Sequence, residues 1–474
     1  MEDWMENEEE MSMSDIFGLI QEYESALSED RSLLLDEDSY ERIIQFYQDN
    51  REFKRAISVA DAAIGHYPFS PAFFILKAEV LAEQSSFEYA LEMLNVAQIL
   101  DATEISIYLI RGDIYLWTSE HKMALEQLDI AIDHAVEPED FSDIYLLKAS
   151  VFEDLEQYLE VIDALELAVK ALPGNPEAMN RLWFATEIAE TFERSEIFHI
   201  KQTNLFPYDY LAWFNLGHAL YYQKKYDKAI EAFEFVIAID EKYEPAHLFL
   251  GDVYFEMENY KKAQEAYFDA IQSVKPYKES FYKLAECFER QSDYQKARYY
   301  LRKATNIDAE YDEAYFKIGE TYMAEENFSQ AITSFERALK VNVDDTAYLS
   351  SLGDAHLLND DPTSAIPYFQ RAIELEPHNM AHYVHLGSAF YELNESEIAY
   401  DTFEMACKLF ADSADVRFVY AVYLLQDAQR KRGLEVLEEG LQLNVNDAKL
   451  IFEMDKSLND DLDIARLFAA YDVL

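Results

Sequence analysis

Three histidines, His378, His382 and His385, are the nearest approach to a metal-binding set in this 474-residue chain. His382 and His385 stand one helical turn apart and would share a face. His378 precedes that helix, however, and no carboxylate completes an obvious donor set. Two thiols, Cys287 and Cys407, lie in apolar stretches, where cysteine packs as a small hydrophobe rather than acting as a nucleophile. There is no phosphate-binding glycine loop, no nucleophile elbow and no H-E-x-x-H pair. What does recur at fixed spacing is a carboxylate row, Asp252, Glu286, Glu320 and Asp354, each 34 residues from the last and each close to apolar side chains. Such a row points to recognition rather than to a reaction, and to an extended surface rather than a pocket.

The elements that position this row follow from the same period. Trp213, Leu216 and Gly217 spell W-x-x-L-G; steps of 34 residues lead to His247, Leu250, Gly251, then Phe281, Leu284, Ala285, then Tyr315, Ile318, Gly319, and on to Leu386 and Gly387. A period of this size decides the architecture before local propensity does. Repeats are laid out from Glu37, Pro71, Ile105, Ser142, Pro176, Tyr210, Glu244, Lys278, Asp312, Thr346, Met380 and Ala414, which makes twelve units over residues 37–447. Every step is 34 residues except the 37 between Ile105 and Ser142. Each unit reads as two helices, with apolar residues at unit positions 4, 7 and 11 of the first and at 24 and 27 or 28 of the second. Glycine recurs at position 8 (Gly217, Gly251, Gly319, Gly353, Gly387), where mid-helix glycine costs about 1 kcal/mol against alanine. Alanine recurs at position 20 (Ala229, Ala263, Ala297, Ala331, Ala365, Ala399). The expectation is a small-against-small crossing of the two helices. An aromatic at position 17, such as Tyr226 or Phe328, fills the turn, and prolines such as Pro207 and Pro377 end the second helix.

These residues resemble the tetratricopeptide repeat over nearly the whole chain. The resemblance implies an all-α, right-handed superhelical solenoid of antiparallel helix pairs, its concave groove lined by positions 2, 5, 9 and 12 of the first helices. Position 5 then offers Phe214, Leu248, Tyr282 and Phe316; position 9 offers Glu79, Asp113, His218, Asp252, Glu286, Glu320 and Asp354; position 12 offers Tyr221, Phe255, Glu289, Met323, Leu357 and Tyr391. The family's carboxylate clamp needs basic residues at these places, and no lysine or arginine occupies position 5 or 9 in any unit, which argues against that function. An apolar row beside an acidic one suits a peptide or helix with apolar and basic side chains. The plainer alternative is that these carboxylates only solvate the helix. The expected function is therefore a non-catalytic scaffold or adaptor with no cofactor and no metal. A chaperone-like holder of basic or unfolded clients is the alternative.

One unit breaks the pattern. In residues 176–209, Trp183 replaces the glycine, Ser195 the alanine, His199 the aromatic at position 24 and Gln202 the alanine at 27. A tryptophan does not fit the crossing, so the two helices must splay or Trp183 must point elsewhere. The ends read differently again. Residues 1–36 form an acidic segment with a short capping helix, Ser14 as its cap and Ile16, Ile20, Tyr23 and Leu27 on one face; residues 448–474 hold the C-terminal capping helices. The basic triplet Arg430, Lys431 and Arg432 is placed in a turn. Ninety-three acidic against 39 basic residues give a formal charge of −54, which disfavours nucleic acid and anionic membrane and favours basic protein partners. No stretch is apolar enough to span a bilayer, no signal peptide is visible, and two cysteines make no disulfide framework, so the cytoplasm is the expected location.

Overall fold

The computed structural model describes residues 16–29, 33–272 and 276–473; the acidic stretch from Met1 to Ser12, and the Ser14 cap, lie outside them. The described residues form helices joined by short turns and contain no strand. First and second helices alternate as hairpins, beginning with Glu37–Asp49 and Phe53–His66 and ending with Asp415–Gln426 and Arg430–Leu443. The hairpins fall into two compact bodies, one up to Glu241 and one from Lys242. In the unit expected from Ser142, the first helix starts earlier, at Pro138, and runs to Asp154. The three extra residues there are helix rather than loop. Pro138 opens that helix, and Glu137 and Asp140 close a reciprocal capping box.

The turns share one conformation that residue types do not advertise. Position 15 of every unit is in the left-handed region without being glycine, from Arg51 (φ 58°) to Ala428 (φ 56°). The conformation is held because the next amide reaches back five residues: Glu52 N to Tyr47 O at 2.7 Å, Asn327 N to Tyr322 O at 2.9 Å. This is a Schellman closure, which satisfies carbonyls left over at the helix end and reverses the chain within three residues.

Packing within the hairpins corrects the expected crossing. The Ala residues at position 20 are fully buried, but the glycines at position 8 make room for the ring at position 24. A Cβ on Gly217 would lie 2.7 Å from the ring of Phe233, and Gly251, Gly319, Gly353 and Gly387 face Tyr267, Phe335, Phe369 and Phe403 in the same way. The other hairpins keep the same reciprocity of volume. Ala78, Ala149, Ala285 and Ala421 are paired by position with Leu94, Leu165, Leu301 and Leu437, and the first unit inverts the sizes with Ile44 and Ala60. All ten of these residues are buried.

Unit 5 has large groups at both places, Trp183 and His199, and its helices Pro176–Ile188 and Phe192–Leu205 barely touch, whereas the hairpins elsewhere pack along their length. The second helix packs instead on Tyr210–Tyr222, and Trp183 turns edge-on to Phe214 (5.9 Å) and His218 (5.4 Å).

Each end is closed by amphipathic helix. At the N-terminal end, residues 16–28 bury Ile20, Tyr23 and Ala26 against the first hairpin; Leu27, expected on that face, is 56% exposed because Ala26 takes the inward place. At the other end, Leu450–Met454, a 3₁₀ turn and Leu462–Ala470 bury Ile451, Ile464 and Phe468. The basic triplet lies in the first turn of the helix Arg430–Leu443, not in a loop. Arg430 ties that helix to the cap, gripping Asp461 and Asp463 at 2.7 Å each.

Candidate interaction surface

The fifteen residues from Phe214 to Tyr391 expected to line a groove divide between the two bodies and do not behave alike. In the first body, Phe214 and His218 are buried. Phe214 sits against Trp183 and Phe233, and His218 against Trp183, Phe192 and Tyr222. These two are core; only Tyr221 of this group stays half-exposed. Burial holds the His218 imidazole well below its ordinary range, at about 3, with His199 adding to the effect.

In the second body the acidic row is not bare. Asp252, on the helix Glu244–Glu256, accepts a hydrogen bond from Tyr267 Oη at 2.6 Å and pairs with Lys283 of the following unit at 2.9 Å. Lys317, on Asp312–Ala324, reaches Glu289 at 3.4 Å and Glu320 at 3.0 Å. Burial pulls the Lys317 ammonium down, yet Glu289, Glu320 and Glu286 outweigh it and its pKa is raised. Glu286 lies between the two lysines. Burial pushes its carboxyl up, and Lys317 and Lys283 act against that rise. Asp354 has His385 Nδ1 at 2.9 Å, near in distance though not aligned as a hydrogen bond.

The apolar partners are half-buried. Phe316 stacks on Tyr348 (4.6 Å), Tyr282 meets Tyr311 (5.6 Å), and Phe255 lies under the Arg290 guanidinium (5.8 Å). Leu248, Met323 and Leu357 flank the hydrophobic clusters beneath them. Tyr391, further along, donates to Asp427 at 3.0 Å. The structure thus gathers Asp252, Glu286, Glu289 and Glu320 around Lys283 and Lys317, and leaves Asp354 and Tyr391 with other partners.

The two lysines are what the sequence reading missed. Both stand at unit position 6 and are 34 residues apart, so the signal was present one place beyond the positions inspected. In units 2 and 3 position 6 is Leu76 and Ile110. The position 9 carboxylates there, Glu79 and Asp113, have no lysine or arginine partner among the described residues. Burial and then the nearby Glu79 push the Asp113 carboxyl up to about 6.

Of the histidines weighed as metal ligands, His382 is buried with Ser350 at 3.0 Å and Glu376 at 3.4 Å, while His385 faces Asp354. Among the described residues no group of three or more His, Cys, Asp or Glu side chains is placed to hold a metal ion. Burial pushes the Cys287 thiol up to about 12 and the Cys407 thiol up to about 11, so neither is a thiolate near neutral pH. Among the described residues no helix is long and apolar enough to cross a membrane.

Comparison with known proteins agrees with this architecture. A tetratricopeptide-type family model described as "Cilia and flagella-associated protein 70 C-terminal domain" matches residues 184–417, and one described as "Tetratricopeptide repeat" matches residues 45–105, together more than half of the chain. No curated protein matches it. Solved structures similar to it include the C-terminal part of a TPR repeat-containing protein from Cytophaga hutchinsonii, 18% identical, covering 52% of this chain and 99% of that one with a TM-score of 0.45. Another is the APC/C Cut9–Hcn1 hetero-tetramer, 13% identical, covering 82% of this chain and 90% of that one with a TM-score of 0.39. A third is YrrB, described as a TPR protein with an unusual peptide-binding site, 19% identical, covering 39% and 95% with a TM-score of 0.34. With the 34-residue period, the helical hairpins and the family matches together, the chain belongs to the tetratricopeptide-repeat proteins.

Proposed function

We propose that this protein is a non-catalytic interaction scaffold, and that the first helices of units 7–10 hold a protein segment carrying apolar and basic side chains. The observation that carries this reading is the charge balance of that face. Asp252, Glu286, Glu289, Glu320 and Asp354 exceed Lys283 and Lys317, beside half-buried Leu248, Phe255, Tyr282 and Phe316. The two lysines lower the attraction for a cation without removing it. They also fix the carboxylates in place, so less side-chain entropy is lost when a basic residue arrives. Glu286 carries the most weight, because burial already disfavours its charge and an incoming ammonium would relieve that.

The test uses synthetic peptides of one apolar pattern with lysine or glutamate at the polar positions, titrated into the full chain by fluorescence anisotropy. The lysine peptide is expected to bind at least about tenfold more tightly, with Glu286→Gln/Glu320→Gln abolishing that preference. Equal binding of the two peptides would sink the reading. A holder of unfolded clients remains the second reading. Its support is a set of second-helix side chains that stay exposed in the first body, among them Ile99, Ile130, Leu167 and Phe235. It predicts that the protein suppresses aggregation of a heat-denatured client regardless of client charge.

A further inference from the structure

The groove between the second helices of units 8 and 9 is unlike the rest of this acidic chain. Its walls are the helices Tyr294–Ile307 and Phe328–Val341, and its floor is Asp312–Ala324. It encloses about 430 Å³, and no carboxylate lines it. Arg302 lines it from one wall and Arg337 from the other, with amide donors from Asn306 and Gln330; the Thr305 and Thr333 hydroxyls donate to the backbone carbonyls of Arg302 and Ser329 and offer the groove only lone pairs. Neither arginine has a carboxylate partner among the described residues, in a chain with 93 acidic residues to choose from.

Both guanidiniums are oriented by aromatic rings instead. Arg302 Nη2 donates to Tyr322 Oη at 2.9 Å, and the Arg337 guanidinium lies 6.0 Å over Tyr315. Tyr322 is itself fixed from behind by Arg298, a buried residue whose guanidinium stacks 4.2 Å from the ring, donates to the Thr321 hydroxyl at 3.3 Å and pairs with Glu325 at 2.7 Å. The arrangement thus has an inner arginine paired with a carboxylate and two outer ones that are not.

The repeat supplies an internal control, because the same groove recurs one unit later. There Glu336 stands at the position of Arg302, and Arg371, at the position of Arg337, is neutralised by Asp344 (2.8 Å) and Glu374 (2.9 Å). One unit earlier, Phe268 replaces Arg302. The arginine pair is therefore a property of one groove and not of the solenoid.

We propose that this groove is an anion site that binds a phosphate monoester. Guanidinium forks match phosphoryl oxygens in pairs, and donors arriving from both walls suit a tetrahedral oxyanion better than a planar carboxylate. Tyr315, Ile318 and Tyr322 on the floor take the organic part of the ester. The chain's overall charge repels free anions, so phosphate held here reports a built site rather than diffuse adsorption.

The test is calorimetric titration of the full chain with inorganic phosphate, O-phosphoserine and a short phosphoseryl peptide at low ionic strength. Saturable binding of the esters is expected, weakened at least about tenfold by Arg302→Gln/Arg337→Gln and unchanged by Arg371→Gln. Arg302→Lys/Arg337→Lys keeps the charge but loses the fork, and is expected to fall between wild type and the glutamine variant. Both outer arginines are exposed, so circular dichroism melts of the variants should match wild type. Tighter binding of the peptide assigns the site to a modified protein side chain; equal binding of peptide and O-phosphoserine assigns it to a free ester. No saturable binding in the millimolar range, or binding untouched by the glutamine pair, overturns the proposal.

Discussion

Units 5 and 9 have the same length, the same turn and the same two helices, yet one hairpin is open and the other closed. Unit 9 places Gly319 against Phe335; unit 5 places Trp183 at the first position and His199 at the second. Closure in this chain thus follows the summed volume at positions 8 and 24, and the one hairpin with large groups at both is the open one. Ile44 with Ala60 closes as well as Gly319 with Phe335, so the glycine is one solution among several. Trp183 packs on Phe214 and His218 of the next unit, and both of those side chains are buried.

The comparison breaks most directly by making unit 9 resemble unit 5. In Gly319→Leu even the Cβ is closer to the Phe335 ring than real Cβ atoms come, and a ring packed between helices has no flexible end to move aside. Overpacking of this kind costs typically 1–3 kcal/mol, and this site is expected at about 3, despite the better helix propensity of leucine. Hydrogen exchange should show the unit 9 turn amides losing protection first, because contacts in a repeat array are local. Protection unchanged from wild type would show that the ring, not the glycine, is the adaptable partner.

The second test works on unit 5. His199 is fully buried, neither ring nitrogen has a hydrogen-bond partner among the described residues, and burial holds its pKa at about 3. An imidazole ordinarily titrates near 6.5. Above that pH neither the folded nor the unfolded chain protonates it, and stability is flat. Between about 6.5 and 3 the unfolded chain takes up a proton that the folded chain refuses, so stability falls as pH falls. By pH 4.5 this amounts to about 2.7 kcal/mol for His199, and His218, held low in the same way, adds to it. His199→Phe is expected to raise the melting midpoint strongly at pH 4.5 and only slightly at pH 7.5. Equal shifts at both pH values would mean that packing, not the buried imidazole, limits unit 5.

Much of this was legible in the sequence because the repeat averages out local ambiguity. The 34-residue register marked the helix pairs and singled out Trp183 and His199 as the break. It misassigned Gly217 and its equivalents to a crossing with alanine, because a small residue at position 20 and a ring at position 24 are one turn apart on the same helix. Periodicity cannot say which of them a glycine faces. It gave Asp252 and Glu320 no partner, because Lys283 and Lys317 stand at another position of the repeat; Lys317 meets Glu320 within its own helix, whereas Lys283 reaches Asp252 across to the preceding unit. The arginine pair of units 8 and 9 was invisible for the same reason: Arg302 and Arg337 are 35 residues apart, at different unit positions, and no period brings them together.

The smallest expected effect sharpens the comparison at the turns. Glu190 in unit 5 and Glu326 in unit 9 both hold left-handed φ values, 50° and 56°. A side chain pays about 1 kcal/mol or slightly more for that conformation, and glycine does not, though glycine brings extra entropy to the unfolded chain. Replacing either glutamate by glycine should therefore stabilise its turn by somewhat less than 1 kcal/mol. The two gains are not expected to be equal. In unit 9 the closing bond from Asn327 N to Tyr322 O is 2.9 Å, whereas its counterpart from Thr191 N to Thr186 O in unit 5 is 3.2 Å. A turn that already closes a packed hairpin passes its gain to the whole unit, while a turn between splayed helices keeps it local. Glu326→Gly should therefore slow exchange across both helices of unit 9, and Glu190→Gly only in the turn itself. If Glu190→Gly protects both helices of unit 5 equally well, the splay there comes from turn strain and not from the volume of Trp183 and His199.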